Sequence, residues 1–165
     1  MSLGPGLEER ARRVLEACRS AKVRLALAEA STGGLISACL TDIPGASAVV
    51  ERGFVPYSNE AKTEQLGVPV ERMVAHGAVS EEVARSLAEG ALAHSRADMA
   101  LGETGIAGPT GGSEAKPVGL VYLAVTRRGG RTLCERHVFP GDRAAIRRAA
   151  AARGLDLLLT LLEGD

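Results

Sequence analysis

Leu7, Ala11, Val14, Leu15 and Cys18 recur at intervals of three and four, with Glu8, Arg12, Arg13 and Glu16 between them, so the chain opens with an amphipathic helix. Residues 23–28 alternate weakly and are bounded by charge, the pattern of a strand. After Thr32-Gly33-Gly34, residues 35–40 read as a short apolar helix that Ser31 or Thr32 caps. Residues 46–57 lean to β through Val49, Val50, Phe54 and Val55, with Gly53 and Pro56 marking a bulge or a sheet edge. Ser58 or Asn59 caps a helix that runs to Leu66, where Gly67 stops it. Ser80 caps another that ends near Ala93. Glu81 and Glu82 stand in its first turn, where negative charge suits the helix dipole, and Val83, Ala84, Leu87 and Ala91 form its buried face.

Residues 98–102 and 118–125 are apolar runs, and Gly129-Gly130 joins residues 118–126 to residues 131–139 as an antiparallel hairpin. Asp142 caps a last helix whose apolar face is Ile146, Ala149, Ala150, Leu157, Leu158, Leu161 and Leu162, with Gly154 in its interior. Helices that alternate with strands and then a hairpin predict an α/β fold: a layered single domain, residues 1–165, with a mixed β-sheet flanked by helices. That length buries a sizeable core without staples. The chain shows no internal repeat.

Composition narrows the function. Twenty basic side chains balance twenty acidic ones, and only two Phe and two Tyr are present. Neither a cationic phosphate-tracking surface nor a stacking platform is evident, which argues against nucleic acid as a partner. Cys18, Cys39 and Cys134 are odd in number and far apart, as free thiols in a reducing compartment are. None of His76, His94 and His137 is followed by His or Cys at i+3 or i+4, which argues against a metal site. No apolar run nears membrane-spanning length, and Met1 to Arg10 has no signal-peptide core. The reading is cytoplasmic, with no membrane partner and no cofactor. Oligomeric state stays open, a homo-oligomer included.

Thr104-Gly105-Ile106-Ala107-Gly108-Pro109-Thr110-Gly111-Gly112 is slung between two predicted strands. Glycine has no Cβ and tolerates positive φ, so such a loop brings bare backbone N–H groups to a ligand, most naturally an anion. The three-residue recurrence of Gly102, Gly105, Gly108 and Gly111 is too short for a triple helix, and a plain linker would carry serines where Ile106-Ala107 stands. Neither a P-loop nor a dinucleotide fingerprint is present. Residues 29–34 and 57–62 are two further polar segments at predicted strand ends, where ligands bind in layered α/β proteins. Thr32-Gly33-Gly34 opens a helix whose free N–H groups can hold an oxyanion or a phosphate oxygen, although simple capping explains Ser31 and Thr32 as well. Lys62 lies in a first helical turn, where the positive end of the dipole pushes the amine toward its neutral form. Glu60 and Glu64 oppose that shift, and an exposed Lys62 would be an ordinary surface charge. Tyr57 either offers a hydroxyl at the strand-to-helix turn or packs beneath it.

Taken in order, Ala28-Glu29-Ala30-Ser31-Thr32-Gly33-Gly34, Tyr57-Ser58-Asn59-Glu60-Ala61-Lys62, His76-Gly77-Ala78-Val79-Ser80, Thr104-Gly105-Ile106-Ala107-Gly108-Pro109, Gly111-Gly112-Ser113-Glu114-Ala115-Lys116-Pro117-Val118-Gly119 and Gly141-Asp142-Arg143 resemble the successive motifs of the CinA carboxy-terminal domain family. The resemblance runs from Leu25 into the last helix and is specific, with six motifs in sequence. The length resembles the stand-alone members, without the amino-terminal molybdopterin-binding-like domain of longer relatives. It implies a nicotinamide-nucleotide amidase, which converts nicotinamide mononucleotide and water to nicotinic acid mononucleotide and ammonia in pyridine nucleotide salvage. It also implies serine-lysine chemistry: a hydroxyl nucleophile, an amine to take its proton, a relay hydroxyl and backbone oxyanion donors. On that pattern Lys62 is the base, Tyr57 or Thr104 the relay, and the N–H groups near Thr32 and Gly33 the oxyanion donors. Gly34, Asn59, Gly105, Gly108, Gly111, Gly112 and Arg143 fall on the substrate side, Arg143 and the glycine loop toward phosphate and ribose.

One position departs from the family. Its first motif runs Ala-Glu-Ser-Cys-Thr-Gly-Gly with the serine as nucleophile, and here that position is Ala30, while Ser31 occupies the cysteine position. Alanine cannot form an acyl-enzyme. Either the chain binds the nucleotide without hydrolysing it or Ser31 has taken over the attack. Alternation along an extended segment, which sends neighbours to opposite sides, favours loss over takeover.

Overall fold

A mixed sheet is built from β1 (Leu25–Glu29), β2 (Val50–Phe54), β3 (Met99–Gly105), β4 (Leu120–Arg127) and β5 (Thr132–Val138), in the order β2-β1-β3-β4-β5. This is a computed structural model, and it describes residues 3–164. β1 lies parallel to both β2 and β3, and β4 and β5 continue the sheet antiparallel. The helices are α1 (Pro5–Ala21), α2 (Leu35–Thr41), α3 (Asn59–Leu66), α4 (Val70–His76), α5 (Glu81–Ala93) and α6 (Arg143–Gly164). The expected α/β class and hairpin are both present.

Alternation decides which helix covers which face. Leu25, Leu27, Met99, Leu101, Val121 and Leu123 point to one side and pack with Leu15, Ile36, Ile146 and Leu155 of α1, α2 and α6. Ala26, Ala28 and Ala100 point to the other and meet Leu66, Val83, Leu87 and Ala91 of α3 and α5. The second face is lined by small residues because α5 lies almost on the sheet backbone: a Cβ on Gly102 would stand 2.5 Å from Ala88 N and 2.6 Å from Ala84 O. Gly154 inside α6 serves a similar fit, its missing Cβ lying 3.0 Å from Leu101 Cδ1.

Several expectations are corrected. Neither Ser31 nor Thr32 caps α2: Gly34 is its N-cap residue, and the Glu29 carboxylate takes the amides of Ile36 and Ser37, each at 2.8 Å. Residues 46–57 divide into a 3-10 turn, Ala46–Ala48, and the short β2. β2 is an edge strand, and its register slips opposite Leu25 and Ala26, ahead of Gly53. α4 was not expected from the sequence. It contributes no fully buried residue: Val70 and Val74 are exposed and Met73 packs only partly buried against the core, so its apolar spacing covers too few turns to stand out in the sequence. Ser58 and Ser80 cap α3 and α5, and Gly67 ends α3 in the left-handed region. Asp142 Oδ1 accepts the Ala145 amide at 2.9 Å as α6 begins. No helix among the described residues is long and apolar enough to cross a membrane.

Candidate active site

Because β1 and β3 run parallel, their carboxyl ends open together, and a cavity of about 310 Å³ lies there against α3 and the glycine loop. Its wall includes Ala30, Ser31, Tyr57, Asn59, Lys62, Thr104, Gly105, Gly108, Gly111 and Arg143. The three polar segments thus converge as expected, while Thr32, Gly33, Gly34 and Gly112 are not on the wall. A larger groove of about 540 Å³ between α1 and α6 is lined mostly by charged side chains and contains none of these residues.

The chain turns immediately after β1. Ala30 N donates to Glu103 O at 3.1 Å and Gly33 N to Ala30 O at 3.2 Å, with Gly33 and Gly34 both at positive φ. The alternation argument fails here for that reason. An extended segment would send Ala30 and Ser31 apart, whereas the turn sets both on the cavity wall.

Beneath the turn lie two carboxylates that received no role from the sequence. Glu29 and Glu103 are register partners on β1 and β3, and both are wholly buried. Side-by-side like charges are costly unless donors surround them. Glu29 accepts from Thr32 Oγ1 (2.7 Å), Ile36 N, Ser37 N (2.8 Å each) and Ser37 Oγ (2.7 Å). Glu103 accepts from the Ser31 hydroxyl and from Thr32 N at 2.8 Å, and its Oε1 lies 2.9 Å from Thr32 Oγ1, whose one proton the two carboxylates share. Burial pushes Glu103 above the usual carboxylate range; the hydrogen bonds from Ser31 and Thr32 oppose this, and the charge of Glu29 adds to it. Arg147 of α6 fixes the turn from behind, Nε donating to Ser31 O at 3.1 Å and Nη2 to Thr32 O at 2.8 Å. The available signal for the carboxylates was an acidic residue at the end of each of two apolar strands. Arg147 left none, since it is one arginine among several on its helix.

The expected oxyanion donors are occupied. Thr32 N is committed to Glu103 and Gly33 N to Ala30 O. Among the described residues, the amides of Ala107, Gly108 and Gly111 on the cavity wall have no intramolecular acceptor.

Lys62 is only 3% exposed, which removes the surface-charge alternative, and its Nζ donates to Tyr57 O at 3.2 Å. Burial lowers its affinity for a proton below the ordinary lysine range, opposed by the charges of Glu103 and Glu60. Desolvation, rather than the start of the helix, is thus the leading cause. Tyr57 does not pack under the turn: it is 63% exposed, and its hydroxyl accepts from Arg143 Nη2 at 3.3 Å. Arg143 Nη1 donates to Gly108 O at 2.7 Å, tying α6 to the glycine loop. Thr104 is buried, its hydroxyl hydrogen committed to Ala78 O at 2.8 Å. Lys116 Nζ braces the neighbouring 76–80 segment through His76 O (2.6 Å) and Val79 O (2.8 Å).

The model of the CinA C-terminal domain matches residues 7–162. The chain belongs to that family. Among CinA relatives, it is 55% identical over 135 residues to a CinA-like protein of Anaeromyxobacter sp., covering 82% of this chain but 33% of that protein. The chain thus spans about a third of the length of such curated relatives. It is 48% identical to nicotinamide-nucleotide amidohydrolase PncC of Escherichia coli, over 87% of both chains. In structure it is similar to competence/damage inducible protein CihA of Agrobacterium tumefaciens, with a TM-score of 0.95 and 47% identity over 98% of this chain and 99% of that one. The CinA fold is therefore shared along almost the whole described length.

Proposed function

We propose that this chain is a nicotinamide-nucleotide amidohydrolase, which cleaves the carboxamide of nicotinamide mononucleotide with water to give nicotinic acid mononucleotide and ammonia. The observation that carries this reading is the buried Lys62 on a cavity also lined by a serine and a glycine loop, in a chain matched over 87% of its length with the Escherichia coli amidohydrolase. Lys62, whose proton affinity burial lowers, moves protons at the scissile amide, the role a desolvated lysine suits. Tyr57 and Thr104 are the relay candidates on the same wall. Arg143 and the unpaired amides of Ala107, Gly108 and Gly111 face the phosphate and ribose, with Asn59 at the rim. With Thr32 N and Gly33 N engaged, oxyanion stabilisation falls to amides that remain free. Three free thiols fit a reducing, cytoplasmic setting. Neither nucleic acid nor a membrane enters this reading.

A second reading, nucleotide binding without hydrolysis, is favoured by Ala30 at the family's serine position. Ammonia release from nicotinamide mononucleotide, measured beside Ala30→Ser and with calorimetry of binding, separates the two. Release by the chain supports hydrolysis. Saturable binding without release, with turnover only in Ala30→Ser, supports the second reading. A folded chain that neither binds nor hydrolyses the nucleotide, in either form, overturns both.

A further inference from the structure

Ser31 lines the cavity, and its hydroxyl donates to the Glu103 carboxylate behind the wall. Glu103 holds its position because the Thr32 amide donates to its Oε1, leaving Oε2 to Ser31. Arg147 clamps the carbonyls of Ser31 and Thr32, so the turn cannot swing the hydroxyl out. Gly105 completes the fit: a Cβ there would stand 2.9 Å from Ser31 Oγ. A serine whose only task was to hold the turn would need no open side. A serine on a cavity wall whose hydroxyl is oriented by a buried carboxylate has the arrangement of an activated nucleophile.

We infer that Ser31 is the nucleophile of this chain and that Glu103 takes its proton, the pair replacing the hydroxyl that Ala30 lacks. The inference rests on the amidohydrolase reading for its substrate. In the first half-reaction Ser31 Oγ bonds to the amide carbonyl carbon while its proton passes to Glu103 Oε2. The tetrahedral intermediate collapses with cleavage of the C–N bond, and the departing nitrogen takes a proton from the Lys62 ammonium and leaves as ammonia. In the second half-reaction water attacks the Ser31 ester and gives its proton to the neutral Lys62. The C–Oγ bond breaks, the acid leaves, and Glu103 returns the stored proton to Ser31. Each residue ends as it began. Glu103 serves only the buried side of Ser31, and Lys62, on the cavity wall, serves the leaving group and the water. Burial of Glu103 keeps its proton affinity nearer to neutrality than an exposed carboxylate's, as a general base requires.

The test uses a small alkyl fluorophosphonate, which reports serine nucleophilicity without needing the right substrate: the Oγ–P bond forms, the P–F bond breaks and fluoride leaves. Peptide mapping should place the label on Ser31, and Glu103→Gln should slow labelling by about 10²-fold. If Glu103→Gln does not fold, the pH profile of labelling in the parent decides: a rate that rises to a plateau with the ionisation of Glu103 supports its role, and a flat profile overturns it. In parallel, Ser31→Ala should lower ammonia release from nicotinamide mononucleotide by about 10³-fold or more. Label absent from Ser31, ammonia release unchanged in Ser31→Ala, or turnover confined to Ala30→Ser would each overturn the inference. Ser31 labelled with no ammonia from the parent or Ala30→Ser would overturn the substrate reading instead and leave the nucleophile standing.

Discussion

Glu103, behind the cavity, and Glu135, on the outer strand of the hairpin, are the same side chain moved in opposite directions by their surroundings. Glu103 is wholly buried and has only hydroxyls and an amide as donors, so burial raises its proton affinity. Glu135 accepts from Arg153 Nε at 2.6 Å and Nη2 at 2.7 Å and lies 2.9 Å from His137 Nε2. Those hydrogen bonds from Arg153 lead in pulling its pKa down to about 2, with burial opposing and His137 helping. A guanidinium locks a carboxylate in the charged state. Hydroxyl donors orient it and leave it able to exchange a proton. The parallel half of the sheet therefore holds groups that can react, and the hairpin half holds a brace.

The largest test of that division is Lys62→Met, which removes the proton-exchanging amine of the cavity wall while keeping most of its aliphatic stem. Turnover should fall by about 10²- to 10⁴-fold, the usual worth of general acid–base catalysis, with nucleotide affinity within a few-fold of the parent. Steady-state ammonia release and calorimetry measure both. Parent-like turnover would place the chemistry elsewhere. The same class of substitution at Glu135 should leave turnover unchanged.

Arg143→Ala should come next. It breaks the tie to Gly108 O and withdraws the one guanidinium on the wall, so KM for the nucleotide should rise about tenfold with kcat nearly unchanged, as expected for a charge-assisted contact kept from ground state to transition state. An effect on kcat alone would assign Arg143 to the chemistry instead.

How much of this could be read from the chain follows the same divide. Elements with an apolar period or a capping residue, such as α1, α5 with Ser80, and the hairpin, were legible because one local pattern dictates each. α4 was not, since Val70, Met73 and Val74 give a helical spacing over only two turns, with no capping side chain to mark it. At the site, the three segments and Lys62 were legible from their polarity at strand ends. The turn at Ala30 and the Glu29–Glu103 pairing were not, because both depend on which strands become neighbours and in what register. That is tertiary information. The direction in which Ser31 points changes with it.

The two glutamates should also separate by pH. The folded-state pKa of Glu103 lies above its unfolded value near 4.5, so the folded state binds more protons than the unfolded state in the interval above pH 4.5. Stability falls as pH rises through that interval. Glu103→Gln, which cannot ionise, should flatten this part of the profile in thermal melts taken across weakly acidic and neutral pH. An unchanged slope would mean that Glu103 keeps its unfolded-state proton affinity after folding.

For Glu135 the sign reverses and the effect is smallest. Its folded-state pKa of about 2 lies below the ordinary value of 4.5, so its contribution is fully present above pH 4.5 and is lost as pH falls toward 2. The pair with Arg153 is only partly screened from solvent, with 29% and 35% of the two side chains exposed, so Glu135→Gln should cost at most about 1 kcal/mol near neutrality. Denaturant unfolding at pH 7 and at pH 3 checks this. The difference between variant and parent should shrink at the lower pH, and ammonia release should not change at all. A loss of several kcal/mol, or any loss of turnover, would show that the hairpin brace supports the cavity, and the separation of the sheet into a reactive and a structural half would fail.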